Sequence, residues 1–486
     1  MGRETGFIDI GRKTAEKIDV ATRLGGYGEI YKDMAEEELR QQASRCMECG
    51  VPFCHNFGCP LGNVIPEWND LAFRGRWREA IDLLHSTNNF PEITGRICPA
   101  MCESACTVGI GDQPVAIRQN EQAIIERAFS EGWVVPLPPK KETGKSVAVV
   151  GSGPAGMAAA QQLRRVGHKV TLFEKHDRLG GILRYGIPDF KLEKRVIDRR
   201  FEQITAEGVE VETGVDVGKD VSADYLRKRY DAVCLCVGAG QPRDLPVPGR
   251  QATGIHFAMP FLIQQNRRVA GLPISEEEIS AKGKHVVIIG GGDTGSDCLG
   301  TSLRQGAASV QQMEILPKPP EGLNVLTPWP HYPNILRTST SHEEGGRRQW
   351  SVCTKNFQQR DGRVVGLEGV EVEWSTDESG RHVMTEKPDS RFEMEADLVL
   401  LSMGFVHPVH EGLLDQMKLH YDGRGNVDVG SDWATEVPGV FAAGDATSGA
   451  WLVVNAIAAG RAMARAVDVY LMGETALPEQ PPIRGR

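Results

Sequence analysis

The stretch VAVVGSGPAGMAAAQQLRRVGHKVTLFEK, residues 147–175, decides the fold. A β-branched run ends in Gly151-x-Gly153-x-x-Gly156, an amphipathic segment follows, and a second β-branched run ends on Glu174. Glycines here let the chain turn tightly and let its backbone approach a pyrophosphate, which then sits on amide groups at the positive end of the helix. Pro154 and Ala155 stand inside this loop, and Lys175 follows the acid. Glu174 comes eighteen residues after Gly156, where a carboxylate can accept the ribose hydroxyls. A glycine triplet alone is a weak signal, but strand, helix and acid in this order specify a dinucleotide-binding βαβ unit.

Outward from it, HVVIIGGGDTGSDCLGTSLRQGAASVQQMEILP (285–317) repeats the pattern with Gly290, Gly292 and Gly295 around Asp293 and Thr294, and with Glu314 nineteen residues on. The chain therefore holds two nucleotides. DAVCLCVGAGQPRDLPVPG (231–249) carries Gly238, ADLVLLSMGF (396–405) carries Gly404, and VPGVFAAGDATSGAWLVVNAIAAGRAMA (437–464) reads as a strand ending at Gly444-Asp445 with a helix beyond. From Ser146 onward, short β-branched runs, glycine turns and amphipathic helices predict an α/β fold with parallel sheets. Read singly, Asp445 is a turn residue and Gly180-Gly181 a helix stop. Before residue 135 the chain is helical: AEEELRQQASR, RWREAIDLLH and VAIRQNEQAIIERAF space apolar residues three and four apart. VVPLPPKKETGK (134–145) reads as a linker.

At 486 residues the chain has the length for about three domains. A net charge of −10 with scattered Lys and Arg argues against a nucleic-acid surface. The start MGRETGFIDIGRKTAEK offers no apolar stretch to a signal peptide, and no run of about 18 apolar residues occurs, so a cytoplasmic protein with no membrane span is expected. In that reducing compartment clustered cysteines point to metal ligation rather than disulfides.

Seven of the eleven cysteines lie between residues 46 and 106. Cys46, Cys49, Cys54 and Cys59 fall in CMECGVPFCHNFGCP (46–60), and Cys98, Cys102 and Cys106 in ICPAMCESAC (97–106). Structural zinc usually takes two CxxC pairs, and only Cys46 and Cys49 make one. Iron–sulfur clusters suit the count and interleaved spacing better, with zinc the alternative. Seven thiolates are one short of two four-ligand clusters. Cys234, Cys236, Cys298 and Cys353 read as buried or incidental thiols, and no CxxC follows the second fingerprint, which disfavours disulfide redox chemistry.

The paired fingerprints with Gly444-Asp445 resemble the two-dinucleotide-domain flavoprotein reductases. This implies FAD on the first fingerprint, a nicotinamide nucleotide on the second, and Asp445 on the flavin ribityl chain. Gly180, Gly181, Lys191, Gly238 and Gly404 join the cofactor-binding candidates. The implied division is a helical iron–sulfur domain (1–140), a FAD-binding domain in two parts (146–240 and 430–486), and an NADH- or NADPH-binding domain inserted between them (241–429). The motifs CxxCGxPxC, GCPxxNxIP and RxCPxxC, set before two such fingerprints, further resemble the small (beta) subunit of bacterial glutamate synthase over essentially the whole chain, and the amino-terminal part of dihydropyrimidine dehydrogenase. That resemblance implies two 4Fe-4S clusters, one on Cys46, Cys49, Cys54 and Cys106, the other on Cys59, Cys98 and Cys102. Matched from Pro114, Glu121 supplies the eighth ligand; by itself it reads as a solvated helix carboxylate. The implied partner is a large (alpha) subunit with FMN and iron–sulfur that makes L-glutamate from glutamine and 2-oxoglutarate. The alternatives are an NAD(P)H oxidoreductase of the same architecture serving ferredoxin or a pyrimidine reductase, and a zinc-stabilised docking module joined to a diaphorase.

Glu314 would meet a 2′-phosphate as a like charge, and Ile315 and Leu316 stand where many resembling chains carry paired basic residues. Lys318, Arg337, Arg347 and Arg348 are the cations able to oppose this. The motif thus predicts a higher kcat/KM for NADH than for NADPH in dye reduction; a clear NADPH preference means one of those cations overrides Glu314.

Overall fold

The computed structural model describes residues 2–274, 276–322 and 325–482, so the last part of the 430–486 segment lies outside the described residues. β1 (Ser146–Val150), β2 (Lys169–Glu174), β3 (Glu210–Thr213) and β4 (Ala232–Leu235) precede β5 (Ile255–Phe257), β6 (His285–Ile289), β7 (Ser309–Met313) and β8 (Arg347–Gln349). β9 (Val352–Arg360), β10 (Arg363–Thr376), β11 (His382–Glu395), β12 (Leu398–Leu401) and β13 (Val440–Ala442) complete the strands. They form two five-stranded parallel sheets, β13-β4-β1-β2-β3 and β5-β12-β6-β7-β8. Each fingerprint strand, β1 or β6, lies at the centre of its sheet, so the crevice beside its carboxyl end falls where the strand order reverses.

Two features depart from the sequence reading. An antiparallel sheet, β11-β10-β9, occupies part of the inserted segment. Its alternation VCTKNFQQRDGRVVGLEGVEVEW, broken at Asp361-Gly362, is a strand and hairpin signal that was available but not used. The chain also returns to the first sheet before residue 430. Leu413, Leu414, Met417, Leu419 and Val427 share a core with Val150, Val233 and Val440, and the helix Leu413–Met417 is too short to show a helical period.

The amino-terminal part is helical as expected, with Glu36–Ala43, Trp77–Thr87 and Ile117–Ser130 matching the three periodic segments. It does not stand apart. Leu61, Phe90 and Ile93 are buried in one core with Val147, Val149 and Ala158 of the first sheet domain. Across this junction Arg200 donates to both oxygens of Glu92, at 2.6 and 2.8 Å, with both side chains excluded from water. Buried Arg461 donates to Asn89, whose amide in turn donates to Gln161 at 2.7 Å.

Removing one member of a buried pair leaves the other charge desolvated and uncompensated, which costs about 3–5 kcal/mol. Glu92→Ala is therefore expected to lower the thermal midpoint by several degrees, and calorimetry of the variant checks it.

Candidate redox site

Both fingerprints show the same construction. Gly151 has φ +100°, and a methyl added there would fall 2.3 Å from the carbonyl oxygen of Cys236; at Gly156 it would fall 1.8 Å from that of Gly151. In the second loop Gly290 has φ +125° and Gly295 lies equally tight, 2.3 Å from the oxygen of Gly290 by the same measure. By contrast, Gly153 and Gly292 open onto space, with nothing within 4 Å of such a methyl. They precede the helices Pro154–Arg165 and Asp293–Arg304, neither of which has a side-chain cap. Unsatisfied amides, a helix dipole and an open approach fit a pyrophosphate at both places.

The two acids behave alike. Glu174 is buried and accepts from Ser152 N (3.2 Å), Ser152 Oγ (2.5 Å) and His176 N (2.9 Å). Glu314 accepts from Gly291 N (2.7 Å) and Leu316 N (2.9 Å). Each carboxylate thus braces its own loop. Lys175 is exposed beside the first acid.

Other candidates gather on the first loop. Gly180 N donates to Ser152 Oγ at 2.9 Å, and a methyl on Gly181 (φ +52°) would lie 2.9 Å from Gly153 Cα, so this pair closes onto the loop and starts a helix rather than stopping one. Gly444 (φ +73°) approaches Ala155 equally closely, with its methyl position 2.9 Å from Ala155 Cβ. Asp445 is half-buried, accepts from Trp451 N at 3.4 Å, and has its carboxyl pushed up to about 7 by burial. Gly460, which the sequence reading passed over, lets Val453–Met472 cross Ala155 at backbone contact, 2.2 Å by the same measure. The small-residue run NAIAAGRAMA was its signal. Gly238 and Gly404 take positive φ with open space, and Gly404 accepts from Arg243 N where the chain crosses between sheets.

A cavity of about 760 Å³ joins the parts. Gly292, Asp293, Thr294 and Glu314 line one side, Trp451–Val454 after Asp445 another, and Cys98 with Arg118 a third. Lys191 also faces it and pairs with Asp297; burial acts to lower its pKa but Asp297 and Asp293 outweigh that and raise it. Arg337 and Arg348 line the cavity, whereas Lys318 pairs with Glu321 at 2.9 Å and Arg347 is exposed.

The seven cysteines separate into two groups. Cys46, Cys49, Cys54 and Cys106 line one small pocket. Cys59, Cys98 and Cys102 lie close enough to Glu121 to interact with its charge. Glu121 is not solvated: it is 5 % exposed, accepts from Asn88 Nδ2 (2.8 Å) and Thr94 Oγ1 (2.7 Å) on one oxygen, and burial pushes its carboxyl up to about 7. Burial likewise pushes the thiols of Cys46 and Cys98 up to about 12 and Cys59 to about 11. Thiolates here need bound cations to offset their charge. Among the described residues no three such side chains converge tightly enough to share a single ion, whereas the thiolates of a 4Fe-4S cluster each bind a different iron. Glu48 (φ 48°) and Ala100 (φ 60°) hold left-handed backbone between neighbouring cysteines, and Gly58 lets the Cys54–Cys59 turn come within 2.7 Å of Cys102 Cα by the added-methyl measure. Cys234, Cys236 and Cys298 are buried and Cys353 half-buried, with burial raising all four thiols.

Residues 145–460 match the pyridine nucleotide-disulphide oxidoreductase family, and residues 23–133 match dihydropyrimidine dehydrogenase domain II, 4Fe-4S cluster. The second match overturns the zinc alternative. The chain is 57% identical to the glutamate synthase [NADPH] small chain of Mycobacterium tuberculosis, over 96% of this chain and 95% of that one. It is 43% identical to that of Bacillus subtilis over 98% and 100%. Glutamate synthase [NADH] of Schizosaccharomyces pombe is 47% identical, with 97% of this chain covering 23% of that longer protein. In fold it is similar to Mycobacterium tuberculosis FprA in complex with NADPH (TM-score 0.53, 19% identity, 68% of this chain and 85% of that one). Among the described residues no helix is long and apolar enough to cross a membrane. With FAD, a nicotinamide nucleotide and 4Fe-4S as its family's cofactors, the chain belongs to the small-subunit family of glutamate synthase.

Proposed function

We propose that this chain is the electron-input subunit of a cytoplasmic glutamate synthase, taking reducing equivalents from NADH or NADPH and delivering them to a large FMN-containing subunit that forms L-glutamate from glutamine and 2-oxoglutarate. The bound groups supply the chemistry: a nicotinamide gives two electrons as hydride, FAD takes two and releases them singly, and 4Fe-4S clusters carry one at a time. The chain's own residues bind and position. Gly153 and the amides of Pro154–Arg165 would hold the FAD pyrophosphate, with Glu174 fixing the loop and Asp445 facing the ribityl chain. Gly292 and the amides of Asp293–Arg304 would hold that of the nicotinamide nucleotide, with Lys191 opposite. Cys46, Cys49, Cys54 and Cys106 would ligate one cluster, and Cys59, Cys98, Cys102 and Glu121 the other.

The observation that carries this reading is the single cavity bordered by the second fingerprint, by the segment after Asp445, and by Cys98. A nicotinamide nucleotide, a flavin and a cluster held at these residues would border one space, so positioning would be the protein's main contribution. The test is co-purification with a large FMN subunit and glutamine-dependent reduction of 2-oxoglutarate; a chain that serves only ferredoxin, or a pyrimidine substrate, sinks it.

Cys54→Ala is expected to remove one cluster and abolish glutamate synthesis by the holoenzyme while NAD(P)H-to-dye reduction through FAD persists. Equal loss of both activities in a variant that keeps FAD counts against a serial relay. Glu121→Ala leaves a buried iron site without its oxygen donor, so the low-temperature EPR of the reduced protein should change. A spectrum identical to wild type makes Glu121 structural only.

A further inference from the structure

Beside the second fingerprint, the strand-end acid is not the nucleotide cavity's decisive charge. Both oxygens of Glu314 are committed to backbone amides, Oε2 to Gly291 N (2.7 Å) and Oε1 to Leu316 N (2.9 Å). β8 runs parallel to β7 with Arg348 opposite Gln312, and both of these residues line the cavity with Glu314. Arg337 reaches the same cavity from the segment before the helix Thr340–Glu344. That helix is fastened to the fingerprint. Burial lowers the pKa of His342 to about 4, so its ring is neutral; Nδ1 accepts from Ser339 N (3.2 Å) and Nε2 donates to Gln312 Oε1 (2.7 Å). Gln312 Nε2 in turn donates to Gly290 O (2.8 Å), and Ser339 Oγ lies 2.6 Å from Ser296 Oγ on the helix Asp293–Arg304. The segment that carries Arg337 and Arg348 is therefore held in place on the fingerprint itself.

Neither guanidinium has a carboxylate. Arg348 donates to Arg337 O (2.8 Å) and Thr338 Oγ1 (3.1 Å), and Arg337 donates to Pro333 O (2.5 Å), all neutral acceptors. Among the described residues neither forms an ion pair, whereas Lys191 in the same cavity is neutralised by Asp297. Arg348 is half-buried with its guanidinium 5.1 Å from the Trp350 ring, and that of Arg337 lies 4.0 Å from the Tyr332 ring. Two positioned cations with N–H groups to spare, in a nucleotide cavity, match an anionic phosphate in charge and in donor geometry. We propose that Arg348, with Arg337 as second contact, binds the 2′-phosphate of NADPH and makes this chain selective for NADPH over NADH. The assignment rests on the reading that the second fingerprint holds a nicotinamide nucleotide, whose adenosine ribose lies at the end of the second strand of such a unit. These arginines take the place of the paired basic residues that Ile315 and Leu316 replace. Glu314 does not exclude the phosphate, because its oxygens are turned to the loop amides and two positive charges oppose its one. The preference read from the strand-end motif is thereby reversed. Of the four cations near in sequence, Lys318 is held by Glu321 and Arg347 lies outside the cavity lining, which leaves Arg337 and Arg348.

The test uses the full chain with FAD and clusters. It measures kcat/KM for NADPH and NADH in dye reduction, and by titration calorimetry the affinities of two probes that lack a nicotinamide, adenosine 2′,5′-bisphosphate and AMP. The wild type should favour NADPH over NADH, and the bisphosphate over AMP, by about tenfold or more. Arg348→Gln should lower both ratios by about tenfold, and Arg337→Gln by less. Arg348→Lys should keep part of each ratio, since the charge remains while the planar fork is lost. If Arg348→Gln loses its FAD, Arg348→Lys and Arg337→Gln decide by the same ratios. A wild type that favours NADH, or variants that weaken both nucleotides in equal proportion, overturns the assignment and leaves the electron-input reading intact. Failure of the wild type to reduce a dye with either nucleotide overturns both.

Discussion

Two opposite charges that have lost contact with water, Glu92 and Arg200, hold the cysteine-bearing helices on the first sheet. Neither can be withdrawn alone without leaving a bare charge in an apolar core, so the junction has one low-energy arrangement. Arg200 comes from the helix Lys194–Ala206 and Glu92 from Pro91–Ile97, which leads directly into Cys98. The pair therefore sets where the second cysteine group stands relative to the fingerprints. Asn89, Arg461 and Gln161 extend the lock along the same seam.

The nucleotide sites show one physical solution used twice. In each, two glycines bring backbone to backbone at a separation no side chain tolerates, while a third faces empty space at an uncapped helix start. In each, the strand-end carboxylate hydrogen-bonds the residue after the first glycine, Ser152 or Gly291. An acid at this position is thus a brace for the loop before it is a reader of the ribose. The oxygens of Glu314 already accept backbone amides, and Arg337 and Arg348 share the cavity with it.

The cysteine domain stores strain between its cysteines. Left-handed backbone at Glu48 and Ala100 costs roughly 1–3 kcal/mol each. Cys54–Gly58 winds as a single π-helical turn, a conformation concentrated at functional sites. Burial raises the thiols, so without metal they stay protonated and ligation must displace those protons. Metal binding and folding are coupled in such domains, because a bound cation both stabilises the thiolates and holds the strained turns.

Much of this was legible in the chain. Glycine spacing after a β-branched run, the ensuing helix and the terminal acid are local consequences of backbone geometry, so both fingerprints and the parallel sheets could be read directly, whereas the split of the first domain was only what the family resemblance implied. The cysteines were also legible as a metal set, since seven of the eleven fall between residues 46 and 106 in two closely spaced groups. What local pattern could not carry was long-range proximity. Glu121 looks like a surface carboxylate because its neighbours in sequence are polar; only the crossing of Ile117–Ser130 with Pro91–Ile97 buries it beside Asn88 and Thr94. The return of the chain to the first sheet before residue 430 rests on a five-residue helix with no period of its own. The convergence of Cys98, Glu314 and Trp451 on one cavity unites residues more than one hundred positions apart. Sequence alone determines the units, because each is fixed by contacts within about thirty residues; tertiary structure decides how they face one another, because that depends on which buried charges and close backbone contacts find partners across domains.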